Sequence, residues 1–368
     1  MAFGIEAVEL RRVALPLVAP FRASFGTESV RDVLLVRVLT AEGEGWGECV
    51  ARSEPLYSAE FVDSAELVVR NHLVPRVWPA AQPEDVASLL RPVKGHPMAK
   101  AAVELAVLDA WLQAAGVPLA TYLGGERDRV DVGVSVGIAS SLDALLSTVA
   151  GYVDAGYRRV KLKIEPGWDV EPVAAVRAEF PGVALQVDAN GAYTLADAPV
   201  LGALDGFGLV LIEQPFPDDD LAAHTTLARR MSTPICLDES ITSAARAVEA
   251  IDRGACSIVN IKPGRVGGYL EAKAVHDACV ARRVPVWCGG MLETGIGRAA
   301  NLALASLPGF TLPADLSASD RYFRADLTRP FVLEGSQLAV PTGPGIGVAP
   351  LPSALEEYTT SVTTVRRP

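Results

Sequence analysis

The feature that most constrains the fold of this chain is a repeat of strand and helix patterns across its second half. Short runs rich in β-branched and apolar residues recur about every 25 residues, and helix-like segments separate most of them. The eight runs cover residues 132–138, 158–164, 183–190, 208–215, 234–240, 257–263, 284–290 and 310–316. Because strands that alternate with helices form parallel sheets, eight such units favour a (β/α)8 barrel over an open doubly wound sheet.

The segments on either side of the repeat have a different pattern. Residues 1–55 are typical of a β-meander with a hairpin, residues 58–92 of helix, and residues 96–116 of an amphipathic helix that a glycine ends. Residues 320–368 return to a turn-rich β pattern. We therefore predict an α/β protein with an α+β domain over 1–125, a barrel domain over 126–320, and a C-terminal segment over 321–368 that packs back on the first domain.

Composition argues against several classes of protein. Lys and Arg number 33 against 44 Asp and Glu, for a net charge of −11, whereas a general nucleic-acid binder needs a basic surface. Half of the 368 residues are apolar, which argues against disorder. The most apolar long window, 99–117, contains Lys100, Glu104 and Asp109, and a membrane span needs about 20 mostly apolar residues.

The N-terminal residues and the cysteines favour the cytoplasm. The first 17 residues, MAFGIEAVELRRVALPL, show no apolar core followed by a cleavage site, so we expect no signal peptide. The five cysteines are odd in number and show no CxxC spacing, which fits reduced thiols. We expect a cytoplasmic protein with no membrane or nucleic-acid partner.

Polar side chains stand at the ends of five successive strands of the predicted barrel. They are Lys163, Asp188, Glu213, Asp238 and Lys262, at intervals of 24 or 25 residues. One chemical group therefore arrives with each strand–helix unit, at the same level of its strand. In a barrel these strand ends meet on the face where active sites form.

The three acids of this series predict a metal site. Carboxylates that share one space cannot all stay ionised without a cation, and no His stands at these strand ends to favour a softer ion. A site made only of oxygen ligands suits Mg²⁺, which keeps positions open for water or substrate oxygens. The alternative is that Asp188, Glu213 and Asp238 are only strand-end caps or solvated loop residues.

Lysines flank the acids on two sides. Lys161 and Lys163 are two residues apart on one strand and so share a face, and Lys262 arrives from the sixth strand, with Asn260 on the same face. A lysine near Mg²⁺ and another ammonium group should have a lowered pKa, which makes it a base near neutral pH. The alternative is a structural ion pair between these lysines and the acids.

A divalent ion between two such lysines has a clear chemical use. It would acidify the α-proton of a bound carboxylate, because it holds the charge that develops on that carboxylate. Lys163 can take the proton from one side. Lys262 can return one from the other side, which gives racemisation, or act as a cation while a leaving group departs, which gives β-elimination. The glycines of GIGRAA, 295–300, follow no strand of a first βαβ unit, so we predict no dinucleotide site there.

Five motifs in order, VKLKIEPG, QVDAN, IEQP, LDES and NIKPGRVGG, resemble the enolase superfamily in its muconate-lactonising-enzyme-like subgroup. Together with APFRASFGTESVRD and VWCGGMLETGIGRAANLALASLP, they are most similar to the o-succinylbenzoate synthase / N-acylamino acid racemase group. The resemblance spans the whole chain. It implies a modified (β/α)7β barrel, with an N-terminal α+β capping domain that the C-terminal segment completes.

The resemblance also implies a role for individual residues. Mg²⁺ would bind to Asp188, Glu213 and Asp238, and Mn²⁺ or another divalent ion can take its place. Lys163 and Lys262 would be the acid/base pair. Lys161 would hold the substrate carboxylate and depress the pKa of Lys163. The residues implied to line or support the pocket are Ser135, Asn190, Gly289, Gly290, Met291 and Arg265. Segments 19–27 and 50–58 would be capping loops that close over the substrate.

The activity implied is o-succinylbenzoate synthase, a dehydratase of menaquinone biosynthesis, with N-succinylamino acid racemase activity in the same site. The substrate would be a small carboxylate, and the protein a homo-oligomer, with an octamer fitting the family. Arg265, three residues after Lys262, leads to the hypothesis that it marks competence for racemisation, because a nearby cation would lower the pKa of that lysine. The alternatives are a dipeptide epimerase or muconate cycloisomerase, a Schiff-base aldolase, and a non-catalytic metal-binding barrel.

Overall fold

The computed structural model describes residues 4–368. Its N-terminal part is an antiparallel meander of three strands, β1 (Ile5–Ala23), β2 (Gly26–Thr40) and β3 (Gly43–Cys49). Along β2 the residues from Val33 to Val38 are almost all buried, because helices cover one face of the sheet and the barrel covers part of the other. The predicted meander is therefore present.

The helical part of this domain follows. Its helices are α1 (Val62–Val68), which continues through a π-helical turn (Val69–Leu73) into α2 (Val74–Val77), then α3 (Glu84–Leu90), α4 (Pro97–Ala115) and α5 (Leu119–Leu123). The predicted helix 96–116 is α4, and Gly116 ends it in the left-handed conformation with φ of 70°.

The prediction that this helix is amphipathic is wrong. From Met98 to Leu112 it is buried on nearly every side, because it lies between the sheet and the barrel. Two glycines of β3 allow this close approach. A Cβ on Gly45 would lie 2.1 Å from the backbone nitrogen of Ala110, and one on Gly47 would lie 2.0 Å from the carbonyl oxygen of Ala102. The alanines of α4 and the glycines of β3 therefore form one packing motif.

The second half of the chain forms a curved parallel sheet of seven strands in sequence order among the described residues. The strands are β5 (Val134–Val136), β6 (Arg159–Lys163), β7 (Ala184–Asp188), β8 (Ile212–Glu213), β9 (Ile235–Leu237), β10 (Ile258–Ile261) and β11 (Val286–Cys288), and a short β4 (Arg129–Asp131) precedes them. The helices between and after them are α6 (Leu142–Asp154), α7 (Val170–Glu179), α8 (Ala198–Ala203), α9 (Leu221–Ala228), α10 (Ala244–Asp252), α11 (Pro263–Val266), α12 (Tyr269–Ala281) and α13 (Gly295–Ala305).

The eighth predicted strand, 310–316, is not a strand in the structure. Single parallel bridges join Phe310 to Val286 and Ala314 to Val132, so this segment spans the space between the seventh strand and the first. Pro313 lies between the two bridges, and because proline has no N–H group it interrupts a regular ladder. The short helices α8 and α11 were not predicted, since proline and glycine weaken their sequence signal.

The C-terminal segment returns to the N-terminal domain. It contains β12 (Gln337–Ala339), which pairs with β4, then α14 (Pro352–Tyr358) and β13 (Thr359–Arg366), which pairs antiparallel with β1 at the edge of the first sheet. The predicted fold class is confirmed, whereas the domain bounds 1–125, 126–320 and 321–368 stay predictions. No helix within residues 4–368 is long and apolar enough to span a membrane.

Candidate active site

The register of the parallel sheet brings the predicted site residues to one end of the barrel. Lys163 of β6 is opposite Asp188 of β7, and Asp188 is opposite Glu213 of β8, so these side chains stand at one level. Asp238 follows β9 directly, and Lys262 follows β10 at the start of α11. The three carboxylates are fully buried and the two lysines nearly so. The spacing of 24 or 25 residues therefore corresponds to one shared level in the barrel.

Lys161 lies at the centre of a buried charge network. Its ammonium nitrogen is 3.1 Å from Oδ2 of Asp188, 2.9 Å from Oε2 of Glu213 and 2.9 Å from Oδ2 of Asp315. Burial alone would lower the pKa of Lys161, but the three carboxylates raise the pKa well above its ordinary range. Lys161 is therefore a fixed positive charge inside the barrel.

Lys163 and Lys262 stand on opposite flanks of the acids. Nζ of Lys163 donates to Oδ2 of Asp188 and to Oδ1 of Asn190, both at 2.6 Å. Nζ of Lys262 donates to Oδ2 of Asp238 at 2.5 Å and to the hydroxyl of Tyr57 at 3.3 Å. The strand order β6-β7-β8-β9-β10 places the strands that carry the three acids between the two lysines.

The expectation of a lowered pKa for Lys262 concerned a site that holds Mg²⁺, and it stays a prediction. Burial lowers the pKa of this lysine, but the charge of Asp238, with smaller effects of Tyr57 and Glu239, raises the pKa well above its ordinary range. The cause is direct contact with a carboxylate, which stabilises the ammonium form.

The pKa values of Asp188 and Glu213 are shifted in opposite directions. Burial raises the pKa of Asp188, but the charges of Lys163 and Lys161 outweigh it and hold the pKa well below its usual range. For Glu213, burial and the negative charge of Asp188 together raise the pKa, although Lys161 opposes them. The lysines thus stabilise one carboxylate fully and the other only in part, so a further cation would favour the state in which both are ionised.

The donor set of the three acids fits a hard divalent ion. Within residues 4–368, no three carboxylate, imidazole or thiol groups already surround one point as metal ligands do. Each acid instead contacts a lysine or an asparagine, so the ion pairs that the sequence left open as an alternative are present. All three candidate ligands are buried carboxylates, and Oδ1 of Asp238 has no hydrogen-bond partner among the described residues. Their role as metal ligands stays a prediction.

Two asparagines orient the acids. Asn190 has a left-handed φ of 45°, its backbone N–H donates to Oδ1 of Asp188 at 3.0 Å, and its Nδ2 donates to Oε1 of Glu239 at 2.9 Å. Nδ2 of Asn260 donates to Oε1 of Glu213 at 2.6 Å. Asn190 thus contacts Asp188 and Glu239, and its supporting role stays a prediction.

Asp315 is a site residue that the sequence analysis did not identify. Its carboxylate accepts a hydrogen bond from the predicted Ser135 at 2.7 Å and forms ion pairs with Arg159 at 3.1 Å and with Lys161. These interactions hold its pKa well below the usual range in spite of burial. A signal was available, because Asp315 lies near the end of the eighth predicted strand, as Asp188 and Glu213 lie at the ends of theirs.

Gly289, Gly290 and Met291 lie directly after β11, where the seventh strand approaches the lysines. A Cβ on Gly289 would be 2.6 Å from Cε of Lys262, and one on Gly290 would be 2.3 Å from the carbonyl oxygen of Asp315. Met291 lines the same cavity as Lys262. Gly289 therefore leaves room for the side chain of Lys262, and Gly290 leaves room for the backbone at Asp315. Contact of these glycines with substrate stays a prediction.

Arg265 reaches the site through a shared partner. Its Nε lies 3.6 Å from Oδ1 of Asp238, the carboxylate that Lys262 contacts, and its Nη1 donates to the carbonyl oxygen of Glu239 at 3.2 Å. The guanidinium carbon lies 4.9 Å from the ring centre of Tyr57, a residue to which the sequence assigned no role. Arg265 is therefore near Lys262 without a direct hydrogen bond to it.

The two segments predicted to be capping loops lie over the site. Phe25, at the tip of the β1–β2 hairpin, and Tyr57, after β3, line a cavity of about 30 Å³ together with Lys163 and Lys262. The hairpin contacts the barrel mouth, where Arg22 forms an ion pair with Glu165 at 2.7 Å. A cavity of this size holds only about one or two water molecules, so the space beside the lysines is small.

Comparison with known proteins identifies the family. The model described as "Mandelate racemase / muconate lactonizing enzyme, N-terminal domain" matches residues 5–124, and "Enolase C-terminal domain-like" matches residues 144–354. The chain belongs to the enolase superfamily. This agrees with the resemblance carried by the five sequence motifs.

Individual relatives match over almost their whole length. An N-succinylamino acid racemase of Amycolatopsis sp is 62% identical over 363 residues, which cover 97% of this chain and 98% of the relative. An o-succinylbenzoate synthase of Geobacillus kaustophilus is 48% identical, with 98% and 97% covered. The crystal structure of an enolase superfamily member from Listeria innocua superimposes with a TM-score of 0.94 at 40% identity and covers 99% of both chains.

Proposed function

We propose that this chain is an o-succinylbenzoate synthase that also racemises N-succinylamino acids in the same site. The observation that carries the proposal is the pair Lys163 and Lys262 on opposite flanks of three buried carboxylates. Both reactions begin with removal of a proton next to a carboxylate, and both activities occur in the names of relatives with 48% and 62% identity. The protein would thus be a lyase and an isomerase.

The residues divide the reaction between them. Mg²⁺ held by Asp188, Glu213 and Asp238 would bind the substrate carboxylate and hold the negative charge that develops on it. Lys163 removes the α-proton from one side of the substrate. In racemisation, Lys262 donates a proton to the other side. In dehydration, Lys262 stays a cation, and the hydroxyl group departs as water with the proton that Lys163 removed.

The lysines must release their present partners to do this. In the structure Asp188 and Asp238 accept the hydrogen bonds of Lys163 and Lys262. A divalent ion on the carboxylates would compete for the same oxygens and draw off the negative charge that raises the pKa of Lys262. Metal binding would therefore be needed both to lower the pKa of Lys262 and to bind the substrate.

The test is exchange of the α-proton with D₂O, measured separately on the two enantiomers of N-succinylphenylalanine with Mg²⁺ present. The unchanged protein should exchange both. Lys163→Ala should lose exchange of one enantiomer and Lys262→Ala exchange of the other, each by at least about 100-fold, because each lysine faces one side of the substrate. Lys273→Ala, which changes an exposed lysine on α12 paired with Asp277, is the control. Retained exchange of both enantiomers in Lys262→Ala would contradict the proposal.

The finer attributes belong to the same proposal. Removal of divalent ions with a chelator should abolish exchange, and Mg²⁺ should restore it. We further propose a cytoplasmic enzyme of menaquinone biosynthesis that acts on a small-molecule carboxylate and assembles as a homo-oligomer, with an octamer as the state to test by light scattering.

A further inference from the structure

One arginine of the capping domain lines two neighbouring cavities. The inner one is the small cavity beside Lys163 and Lys262, and the outer one holds about 330 Å³ between segments 25–30 and 52–56. Arg52 and Phe25 line both. Arg52 therefore forms part of the wall that separates the reacting centre from the outer cavity.

The charge around Arg52 is not balanced. Arg52 forms an ion pair with Glu28 through Nη1 and Oε2, and Glu28 also lies 3.4 Å from Nη1 of Arg31. Arg31 is fully buried and makes its remaining hydrogen bonds to backbone carbonyls, including that of Val50 at 2.8 Å. Two guanidinium groups thus share one carboxylate, which leaves this cluster with a net positive charge.

Arg52 lines the inner cavity and has one unpaired nitrogen. Its side chain is 15% exposed, and its Nε is buried with no hydrogen-bond partner among the described residues. Its guanidinium carbon lies 4.9 Å from the ring centre of Phe25 and 5.8 Å from that of Tyr57. Aromatic contacts of this kind cover the faces of a guanidinium and leave its N–H edge available for a planar, two-point contact.

A buried guanidinium with an unpaired edge and surplus positive charge selects an anion. The carboxylate next to the reacting carbon cannot be that anion, since it belongs with the acids and lysines at the barrel. Both proposed substrates contain a second carboxylate, at the far end of a succinyl group. Because Arg52 lines the same cavity as Lys163 and Lys262, a second carboxylate that points from the α-carbon towards the capping domain meets its guanidinium.

We propose that Arg52 binds the distal carboxylate of the substrate and so makes the site selective for dicarboxylates such as N-succinylamino acids over neutral N-acyl analogues. This inference rests on the proposed function and names the substrate class of the same site. Glu28 holds the guanidinium in place and competes with the substrate carboxylate for it.

The experiment compares two acyl groups on one amino acid. The kcat/KM for α-proton exchange is measured with N-succinyl- and N-acetylphenylalanine. The readout is the value for the succinyl substrate divided by the value for the acetyl substrate. In Arg52→Met the ratio should fall at least about tenfold, mainly through the KM of the succinyl substrate, since a charge-assisted two-point contact is lost. Arg52→Lys, which keeps the charge without the fork, should lie between. The control is Arg37→Met, which removes an arginine of the capping domain that also pairs with a glutamate and contacts an aromatic ring, and the ratio should stay as it was.

A second variant tests the direction. Glu28→Gln removes the competing carboxylate, so the KM of the succinyl substrate should fall while the ratio rises. An equal loss for both substrates in Arg52→Met would overturn the proposal and leave Arg52 as a residue that only packs the capping segments. An unchanged ratio in both variants would overturn it as well. If the unchanged protein exchanges neither substrate, the proposed function itself fails, which this design separates from failure of the inference.

Discussion

Glu104 of α4 provides a quantitative test of how the capping domain is attached to the barrel. Its carboxylate is 2% exposed and accepts a hydrogen bond from the backbone N–H of Leu270, in the first turn of α12, at 2.9 Å. Burial raises its pKa from 4.5 to about 7, although that hydrogen bond opposes the shift. Because the folded protein binds this proton more tightly than the unfolded chain, the stability it contributes is complete below pH 4.5 and is lost as pH rises towards 7.

The size of the effect follows from the two pKa values. With 4.5 in the unfolded chain and about 7 in the folded protein, ionisation of Glu104 removes roughly 3.4 kcal/mol of stability between about pH 5 and 8. Glu104→Gln keeps an acceptor oxygen and cannot ionise. The difference in free energy of unfolding between the variant and the unchanged protein should therefore move in favour of the variant by about that amount.

The measurement is urea unfolding followed by tryptophan fluorescence at several pH values. Taking the difference between variant and unchanged protein cancels the titration of all other acids. Glu179→Gln, at an exposed position at the end of α7, is the control and should show a difference that does not change with pH. A flat difference for Glu104→Gln would refute the reasoning, because it would mean that this carboxyl group titrates alike in both states.

Two further predictions concern the site. Asp315→Asn should lower the free energy of unfolding by about 3 kcal/mol or more, because it leaves the buried Arg159 and Lys161 with one carboxylate fewer. Ser135→Ala removes one hydroxyl donor and should lower the free energy of unfolding by only about 1 kcal/mol. Equal urea midpoints for the two variants would contradict this. Arg265→Met should reduce racemisation far more than dehydration, since racemisation alone needs Lys262 to exchange protons, and assays of both reactions on the same preparation would expose equal losses as a contradiction.

The strand-end residues could be predicted because a barrel converts spacing into position. Each strand–helix unit advances the chain by one strand, so Lys163, Asp188 and Glu213 had to reach one level once the unit length was constant. The same logic fails for the eighth segment, where Pro313 interrupts the ladder and only single bridges remain. It also passed over Asp315, which follows that proline and is buried at the site.

The interactions of the side chains could not be predicted from spacing. The sequence placed Lys161 and Lys163 on one face, but Lys161 binds three carboxylates from three different segments, and this depends on the closed shape of the barrel. Contact with Asp238 raises the pKa of Lys262 in spite of burial, and spacing alone does not reveal that contact. The sequence of α4 is rich in Ala and Leu and so indicates a helix. It does not reveal that two glycines let β3 pack closely against α4 and bury a second side of it.

The seating of α4 on the glycines of β3 limits how the enzyme can admit its substrate. With backbone atoms of helix and strand too close to tolerate even a methyl group, the sheet of the capping domain and α4 pack as one body. The parts of this domain that can bend at the site are the hairpin tip around Phe25 and the stretch around Tyr57, each only a few residues long. Exchanging these two short stretches should retune which molecules are admitted while the proton-transfer chemistry beneath them continues unaltered.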